Sequence, residues 1–112
     1  MTGVQTCALP IYSSAIFTGD KNSGSVSGHY EGLFSFSVKW NSSPTINITH
    51  KVTPNWISSL TSIEIVGSYI TYDYNNTIIY HVSYSKRTSG YLLGTFNFNL
   101  KIDLLKKTAT IL

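Results

Sequence analysis

Acidic side chains that could act as catalytic acids or bases are few and dispersed. The chain contains five of them, namely Asp20, Glu31, Glu64, Asp73 and Asp103. Hydrolysis of a glycosidic bond needs two carboxyl groups held about 5–9.5 Å apart, and no two of these residues have a spacing that suggests such a pair. The acidic residues therefore predict no catalytic site, and we expect that the chain is not an enzyme.

A glycine- and serine-rich segment, GSVSG at positions 24–28, is similar in outline to a nucleophile motif. In a nucleophile elbow the central residue is a serine on a sharp turn between a strand and a helix. Here Val26 holds the central position, and no helical pattern follows. A phosphate-binding loop is excluded as well, because no Lys-Ser or Lys-Thr pair follows the glycines. We predict no catalytic residue in this segment.

The three histidines, His29, His50 and His81, lie in separate segments of the chain. Zinc ligands commonly recur at short, fixed spacings, and these histidines show none. We therefore predict no metal site and no cofactor. His50 shares the apolar face of its predicted strand, so we expect a hydrogen-bonded, partly buried histidine there.

Composition indicates an exported β protein. Charged residues make up 12% of the chain, against about 25% in typical soluble domains, and serine, threonine and asparagine fill many polar positions. The eight Tyr, five Phe and two Trp are residue types that favour strands. We expect export from a Gram-positive bacterium, with an extracellular or cell-surface location.

The net charge of +3 does not indicate a nucleic-acid-binding protein. Basic residues occur as two pairs in predicted turns, Lys86 with Arg87 and Lys106 with Lys107, whereas a nucleic-acid footprint is a denser cluster. No run reaches the ~18 apolar residues of a membrane helix. We predict no nucleic-acid partner and no membrane span in this sequence.

Alternation of apolar and polar residues predicts most of the strands. Segments 34–40, 46–52 and 96–104 each place their apolar residues on one face. The strongest patterns are Phe34, Phe36, Val38, Trp40 and Phe96, Phe98, Leu100, Ile102, Leu104. Matching the apolar faces pairs position 38 with 46 and 36 with 48, through a three- or five-residue loop. Alternatively, segments 34–40 and 46–52 belong to different sheets.

Residues 69–84 predict a hairpin with two alternative registers. A two-residue type I′ turn at Asn75 and Asn76 pairs Tyr72 with Ile79. A three-residue loop at 75–77 instead gathers six residues on one face: Ile70, Tyr72, Tyr74, Ile78, Tyr80 and Val82. We favour this second register because it separates the apolar and polar faces better.

The remaining segments connect these strands. Residues 22–28 predict a flexible loop or linker, and residues 57–60 predict one helical turn before a strand at 62–66. We expect a turn at 86–90 and a tight connection at 105–107 into a last strand at 108–112. Residues 12–28 are either a first strand with its loop or a loosely attached lead-in, and residues 29–112 are expected to form a single β-sandwich domain.

Strand signals recur about every 8–12 residues, which predicts an all-β, mostly antiparallel sandwich of about seven or eight strands, Ig-like in architecture. The segment GTFNFNLKIDLLKKTATI at 94–111 resembles small exported Gram-positive domains of unknown function with Ig-like strand patterns. That resemblance implies the same architecture and location and identifies no site residues.

The first eleven residues, MTGVQTCALPI, resemble the translation of a common sequencing adapter in one reading frame. That frame accounts for Met1 through an alternative GTG start codon, and it leaves a T that begins a codon for Tyr12. We interpret residues 1–11 as an artefact, so Cys7, the single cysteine, is not native and no disulfide is expected. We interpret the rest as a metagenomic fragment of a longer gene product, without its native start.

An excess of aromatic residues is the remaining functional signal. We expect Tyr30, Trp56, Tyr69 and Tyr91 to be exposed, and exposed flat rings stack on sugars and anchor protein interfaces. The sequence therefore predicts a non-enzymatic module that mediates protein or glycan contacts through these four residues. The alternative is a structural spacer of a cell-envelope or phage protein without a ligand of its own. A contiguous aromatic patch distinguishes the first hypothesis from the second.

Overall fold

The computed structural model describes residues 12–42, 45–73 and 75–112. Residues 1–11, which we attribute to a sequencing adapter, lie outside the described residues, so that interpretation stays a prediction. The described residues contain eight strands and no helix. The strands are β1 (Ser14–Gly19), β2 (Ser23–Tyr30), β3 (Phe34–Asn41), β4 (Asn47–Pro54), β5 (Thr61–Asp73), β6 (Thr77–Thr88), β7 (Tyr91–Asp103) and β8 (Thr108–Ile111).

The strands form two antiparallel sheets of four, in the order β1-β2-β3-β4 and β5-β6-β7-β8. This confirms the predicted all-β, antiparallel sandwich. Each strand pairs only with its neighbours along the chain, so each sheet is a meander. An immunoglobulin fold instead passes strands between the sheets through Greek-key connections. The two-layer sandwich is thus confirmed, and its strand order is a meander because short hairpin connections keep sequential strands adjacent.

The core lies between the two sheets and consists largely of the alternating residues. The predicted inward face of β3 is confirmed, and so is most of the inward face of β7. The buried residues on these two strands and the turn after β7 are Phe34, Phe36, Val38, Trp40, Phe98, Leu100, Ile102 and Leu104. The Trp40 indole N–H donates a hydrogen bond of 2.7 Å to the Asp20 carbonyl, so this large ring is buried without an unpaired donor.

The predicted loop at 22–28 is wrong, because these residues form most of β2, between β1 and β3. Its glycines allow close packing and do not indicate flexibility. A Cβ at Gly24 would lie 2.7 Å from the Trp40 ring, and one at Gly28 would overlap the Ser14 carbonyl. Of the two alternatives for residues 12–28, the structure has the first strand, β1, and it adds β2 in place of the loop. The sandwich buries Phe17 completely.

The β3–β4 and β5–β6 hairpins show how far alternation determines register. Val38 pairs with His50, so the predicted 38–46 pairing is wrong, although the apolar faces agree and both strands share one sheet. The faces predicted for the β5–β6 hairpin are confirmed, because Tyr72 pairs with Ile78. The pairing ends at Asp73 and Thr77, which is one position before the end predicted for a loop at 75–77. Tyr74, which was predicted on the same inward face, lies outside the described residues. In both hairpins the loop lies at a different position from the predicted one, and this shifts the register by an even number of residues, which keeps the same side chains on the inward face.

The β5 strand is longer than predicted, and the helical turn expected at 57–60 is not formed. A bulge at Val66 interrupts the pairing of β5 with β6. Before the bulge the odd-numbered side chains of β5, such as Ile63, point inward, and after it the even-numbered ones, such as Ile70, do so. The two alternating segments predicted as separate strands therefore form one strand. The predicted turn at 86–90 is shorter, because β6 continues to Thr88. The tight connection from β7 into β8 is confirmed.

The second sheet extends beyond the first at one end. Strands β5, β6 and β7 have 12 or 13 residues, whereas β1 to β4 have six to eight. At ~3.3 Å per residue, four or five extra residues add about 15 Å. The β2–β3 turn packs beside Tyr84, and the β6–β7 hairpin continues past it. We call residues 85–96 the projecting hairpin.

Candidate functional site

Three of the four predicted aromatic residues are exposed. The exposed fractions are 81% for Trp56, 57% for Tyr69 and 76% for Tyr91. Tyr30 is a correction, because its ring is half-buried against Phe34, Tyr84 and Phe98. Its strand ends over the core, so the ring turns inward.

The four residues do not form one patch. Tyr69 lies on the outer face of the second sheet, stacked on the His81 ring with centroids 4.3 Å apart. Trp56 lies in the connection between β4 and β5, and Tyr91 begins β7 beside the turn of the projecting hairpin. Tyr30 faces the inner side of the second sheet, so the thickness of that sheet separates it from Tyr69.

A recess of about 270 Å³ lies where the projecting hairpin leaves the cover of the first sheet. We call it the Tyr84 recess. Its lining consists of Tyr30, Glu31, Leu33, Tyr84, Lys86 and Phe96. One of the predicted aromatic residues, Tyr30, therefore lies in it, together with two aromatic rings that sequence analysis did not assign to a site.

The floor of the recess is a pair of rings on neighbouring strands. Tyr84 and Phe96 are opposite each other in the β6–β7 register, with centroids 5.6 Å apart and planes inclined by 30°. Phe96 was predicted as a core residue, yet 43% of its surface is exposed. Its ring lies over Gly94, where a Cβ would approach the ring to 3.1 Å. The missing side chain of Gly94 therefore allows Phe96 to lie along its own strand.

The wall of the recess is the β2–β3 turn, held by hydrogen bonds from outside it. Glu31 has a φ of 47°, a conformation that costs a non-glycine residue of order 1–3 kcal/mol. Its N–H donates to the Ser13 hydroxyl at 2.9 Å. Asn55 donates from its backbone N–H to the Leu33 carbonyl at 2.9 Å and from its side chain to the Gly32 carbonyl at 3.1 Å. These contacts hold the backbone of the turn that carries Glu31.

Charged and phenolic groups lie at the rim of the recess. Burial, and then a hydrogen bond donated to the Glu31 carboxylate, raise the pKa of Tyr30 well above its ordinary value. Burial and the nearby Glu31 charge also raise the pKa of Tyr84. Both phenols thus stay protonated at neutral pH and can donate hydrogen bonds. Lys86 adds an ammonium group to the same lining.

The other four acidic residues are engaged in local structure. Asp20, Asp73 and Asp103 each accept hydrogen bonds from backbone N–H groups of the turn that follows. These bonds lower the pKa of Asp20. Glu64 lies 3.8 Å from Arg87 on the outer face. Only Glu31 therefore brings a carboxylate to the recess.

The histidines are separated in the fold as they are in the sequence. His29 contacts the Ser14 hydroxyl, and His50 contacts the Ser68 hydroxyl at 3.4 Å. His81 lies between Thr71 and Asn99 on the outer face. Across the described ranges, no group of three or more His, Cys, Asp or Glu residues is placed to hold a metal ion. His50 is exposed, which corrects the expected partial burial, although its ring packs against Tyr80.

Comparison of the chain with protein-family models, with curated proteins and with solved structures gave no match. Within the described residues, no helix has the length and apolar character to cross a membrane.

Proposed function

We propose that the chain is a non-enzymatic binding module of an exported or cell-surface bacterial protein, and that the Tyr84 recess holds one sugar unit of a glycan. The observation that carries this proposal is the combination in one recess of the Tyr84 and Phe96 rings with the Glu31 carboxylate and the Lys86 ammonium. The composition, poor in charge and rich in Ser, Thr, Asn and Tyr, supports export.

A sugar ring matches this lining because it has an apolar face of C–H groups and a polar rim of hydroxyls. The half-exposed Phe96 ring offers a flat surface for the apolar face. The Glu31 carboxylate accepts hydrogen bonds from hydroxyl groups, and the Lys86 ammonium donates them. Pockets for drug-sized ligands are usually about 300–1,000 Å³, so a recess of about 270 Å³ suits a single sugar unit.

The same lining supports binding without catalysis. Acid–base hydrolysis of a glycoside uses two carboxyl groups, and Glu31 is the acidic residue in the recess. The protonated phenols of Tyr30 and Tyr84 are weak acids whose raised pKa makes them poor general acids at neutral pH. The Glu31 carboxylate thus lacks the second carboxyl group that hydrolysis would use.

The test is a screen of the purified chain against an array of neutral, N-acetylated and acidic glycans, followed by calorimetry on the strongest binder. Phe96→Ala removes the flat surface, and Glu31→Gln removes the negative charge with little change in shape. Each should weaken binding about tenfold, or ~1.4 kcal/mol. The control is Tyr69→Ala, which removes an exposed ring on the opposite face of the same sheet.

The control should bind like the unmodified chain. Absence of binding across the array, or binding that Tyr69→Ala abolishes and Phe96→Ala leaves intact, contradicts the assignment of the recess.

The second candidate is a spacer domain, and one surface favours it. The outer face of the first sheet is lined by small hydroxyl residues and lysines. These residues include Ser27, Ser35, Ser37, Lys39, Thr49, Lys51 and Thr53. Such a wet surface without aromatic rings suits a module that only separates its neighbours. A chain that binds no glycan on the array would leave the spacer as the better hypothesis.

A further inference from the structure

One edge of the second sheet is mostly uncovered. Strand β7 pairs with β6 along its whole length, but β8 pairs only with Leu100–Asp103 of β7. One more contact, from the Leu112 N–H to the Asn99 carbonyl, extends this cover by a residue. In the described part of the chain, no strand pairs with residues 91–98 on that side.

The bare edge has a regular central part whose outward backbone groups pair with no other strand among the described residues. A bulge at Leu93 interrupts the pairing of β7 with β6 at one end, and the contact at Asn99 begins the cover by β8 at the other. Between them, residues 94–98 are regular. Because the Asn99 carbonyl points toward β8, the alternation of an antiparallel strand directs the N–H and C=O groups of Asn97 and Thr95 the same way. Two donors and two acceptors therefore face outward.

This edge lacks the features that usually prevent strand pairing. Natural edge strands are protected by lysines, prolines or inward-pointing charges. From Thr88 to Leu100 the sequence has no charged residue and no proline, although the chain carries eight Lys and Arg. Large apolar side chains flank the edge, and Leu92 and Leu93 are 53% and 55% exposed. The edge is thus open both to hydrogen bonding and to apolar contact.

We propose that the edge of β7 pairs antiparallel with the same edge of a second copy of the chain, which joins two second sheets into one continuous sheet of eight strands. A twofold axis at Phe96 places Phe96 opposite its counterpart and Thr95 opposite Asn97 of the second copy. This register uses all five regular residues, 94–98, and ends at the bulge in both copies. It also forms an aromatic pair across the axis, which stabilises antiparallel strands.

The absence of charge favours a second copy over a foreign strand. An interface on a twofold axis brings each residue type near itself, so any charge near the axis would repel its own image. The chain has a net charge of +3 but places none of its charges on this edge. A foreign strand bearing charges would find no opposite charge there.

The experiment is sedimentation velocity of the full chain at concentrations from about 5 µM to about 500 µM, a range suited to a small, weak interface. The dimer should appear at twice the chain mass of 12.4 kDa. In the double variant Thr95→Lys with Asn97→Lys, each new lysine lies opposite a lysine of the second copy. Because the two positive charges repel each other, the dissociation constant of the dimer should rise at least about tenfold. Both side chains point away from the Tyr84 recess, so the result is separate from glycan binding.

The matched control is Ser25→Lys with Ser27→Lys on β2. It adds the same two charges at the same spacing to a strand whose two edges are already paired, and its dissociation constant should stay within about twofold of the unmodified chain. Hydrogen exchange of the unmodified chain provides a second measurement. The amides of Thr95 and Asn97 should exchange more slowly as the concentration rises.

Three outcomes overturn the proposal. The first is a chain that stays at 12.4 kDa throughout. The second is a dimer that the lysine pair on β7 leaves intact, or in which the amides of Thr95 and Asn97 exchange at one rate at all concentrations. The third is a dimer that Ser25→Lys with Ser27→Lys weakens as strongly as the lysine pair on β7, which would mean that added charge rather than the β7 edge is responsible.

Discussion

Strands β6 and β7 pass through two different environments. In the covered region, residues 78–82 of β6 and 98–102 of β7 lie beneath the first sheet, and their inward side chains are fully buried or nearly so. In the projecting hairpin the same two strands keep their hydrogen bonds to each other but lose the opposite layer. Phe96 and Tyr91, opposite Tyr84 and Thr88 on the inward side of the hairpin, are then 43% and 76% exposed. The same pair of hydrogen-bonded strands thus has buried side chains at one end and exposed side chains at the other.

In this fold, hydrogen-bonded pairing of two strands does not depend on burial of their side chains. The backbone pairing of the hairpin continues because two antiparallel strands satisfy each other's N–H and C=O groups. Burial ends where the shorter strands of the first sheet end. The Tyr84 recess lies at this boundary, with one ring, Tyr84, nearly buried and the other, Phe96, half-exposed.

The largest expected effect comes from the same substitution made in both regions. Leu100→Ala removes a fully buried side chain and should lower the free energy of unfolding by about 2–5 kcal/mol. Leu92→Ala removes an exposed one and should change it by less than about 0.5 kcal/mol. Urea unfolding of both variants checks this. Equal losses would mean that the projecting hairpin is covered in solution.

The next effect concerns the boundary between the regions. Asn55→Ala removes the side chain that bonds to the Gly32 carbonyl and to the Ser35 hydroxyl. We expect a loss of about 1–2 kcal/mol in unfolding free energy, because a partly buried carbonyl loses its donor. Glycan binding in the Tyr84 recess should weaken with it. A variant that loses stability but binds normally would show that the turn does not position Glu31.

The third effect is a dependence on alkaline pH. Burial and the Glu31 charge raise the pKa of Tyr84 in the folded chain above the value of about 10 in the unfolded chain. The contribution of this phenol to stability is therefore fully present below pH ~10 and is lost as the pH rises through the folded-state pKa. Tyr84→Phe should reduce the fall of the melting temperature above pH ~10. Identical falls in the two proteins would contradict this origin.

The smallest effect on stability is expected at Gly94. Its φ is not in the left-handed region, so Gly94→Ala adds only a methyl group beneath the Phe96 ring. The ring must move by a few tenths of an ångström, and stability should change by less than about 0.5 kcal/mol. Glycan binding should fall severalfold, since the flat surface is displaced. Calorimetry with the best glycan, beside a urea titration, separates the two quantities.

Sequence patterns predicted the fold well wherever apolar residues alternate without interruption. The inward faces of β3 and of the β5–β6 hairpin follow from such alternation. Strand β2 was missed because two of its four inward positions, Gly24 and Gly28, are glycine, and the sequence does not distinguish a glycine that allows close packing from one that allows flexibility. Two further errors, in the partner of Val38 and in the extent of β5, depend on the position of a loop and on a bulge, and alternation reveals neither.

The candidate site was only partly predictable. An excess of aromatic residues indicated exposed rings, and Tyr30 was among the residues selected. Phe96 has the same parity as Phe98 and Leu100 on β7, so alternation assigned it to the core. Lys86 was assigned to a turn, and Glu31 was one of five dispersed acids. Their proximity depends on how far one sheet extends beyond the other.

By itself, the sequence determined the all-β class, the antiparallel pairing and the inward faces of the main strands, because a period of two residues is a local property of the chain. The tertiary structure decided the strand order, the Tyr84 recess and the open edge of β7. Each of these depends on where a strand ends relative to a neighbour distant in sequence. Phe96 and Phe98 hold equivalent positions in the alternating pattern. Phe98 is buried because the first sheet covers it, and Phe96 is exposed because the first sheet ends before it.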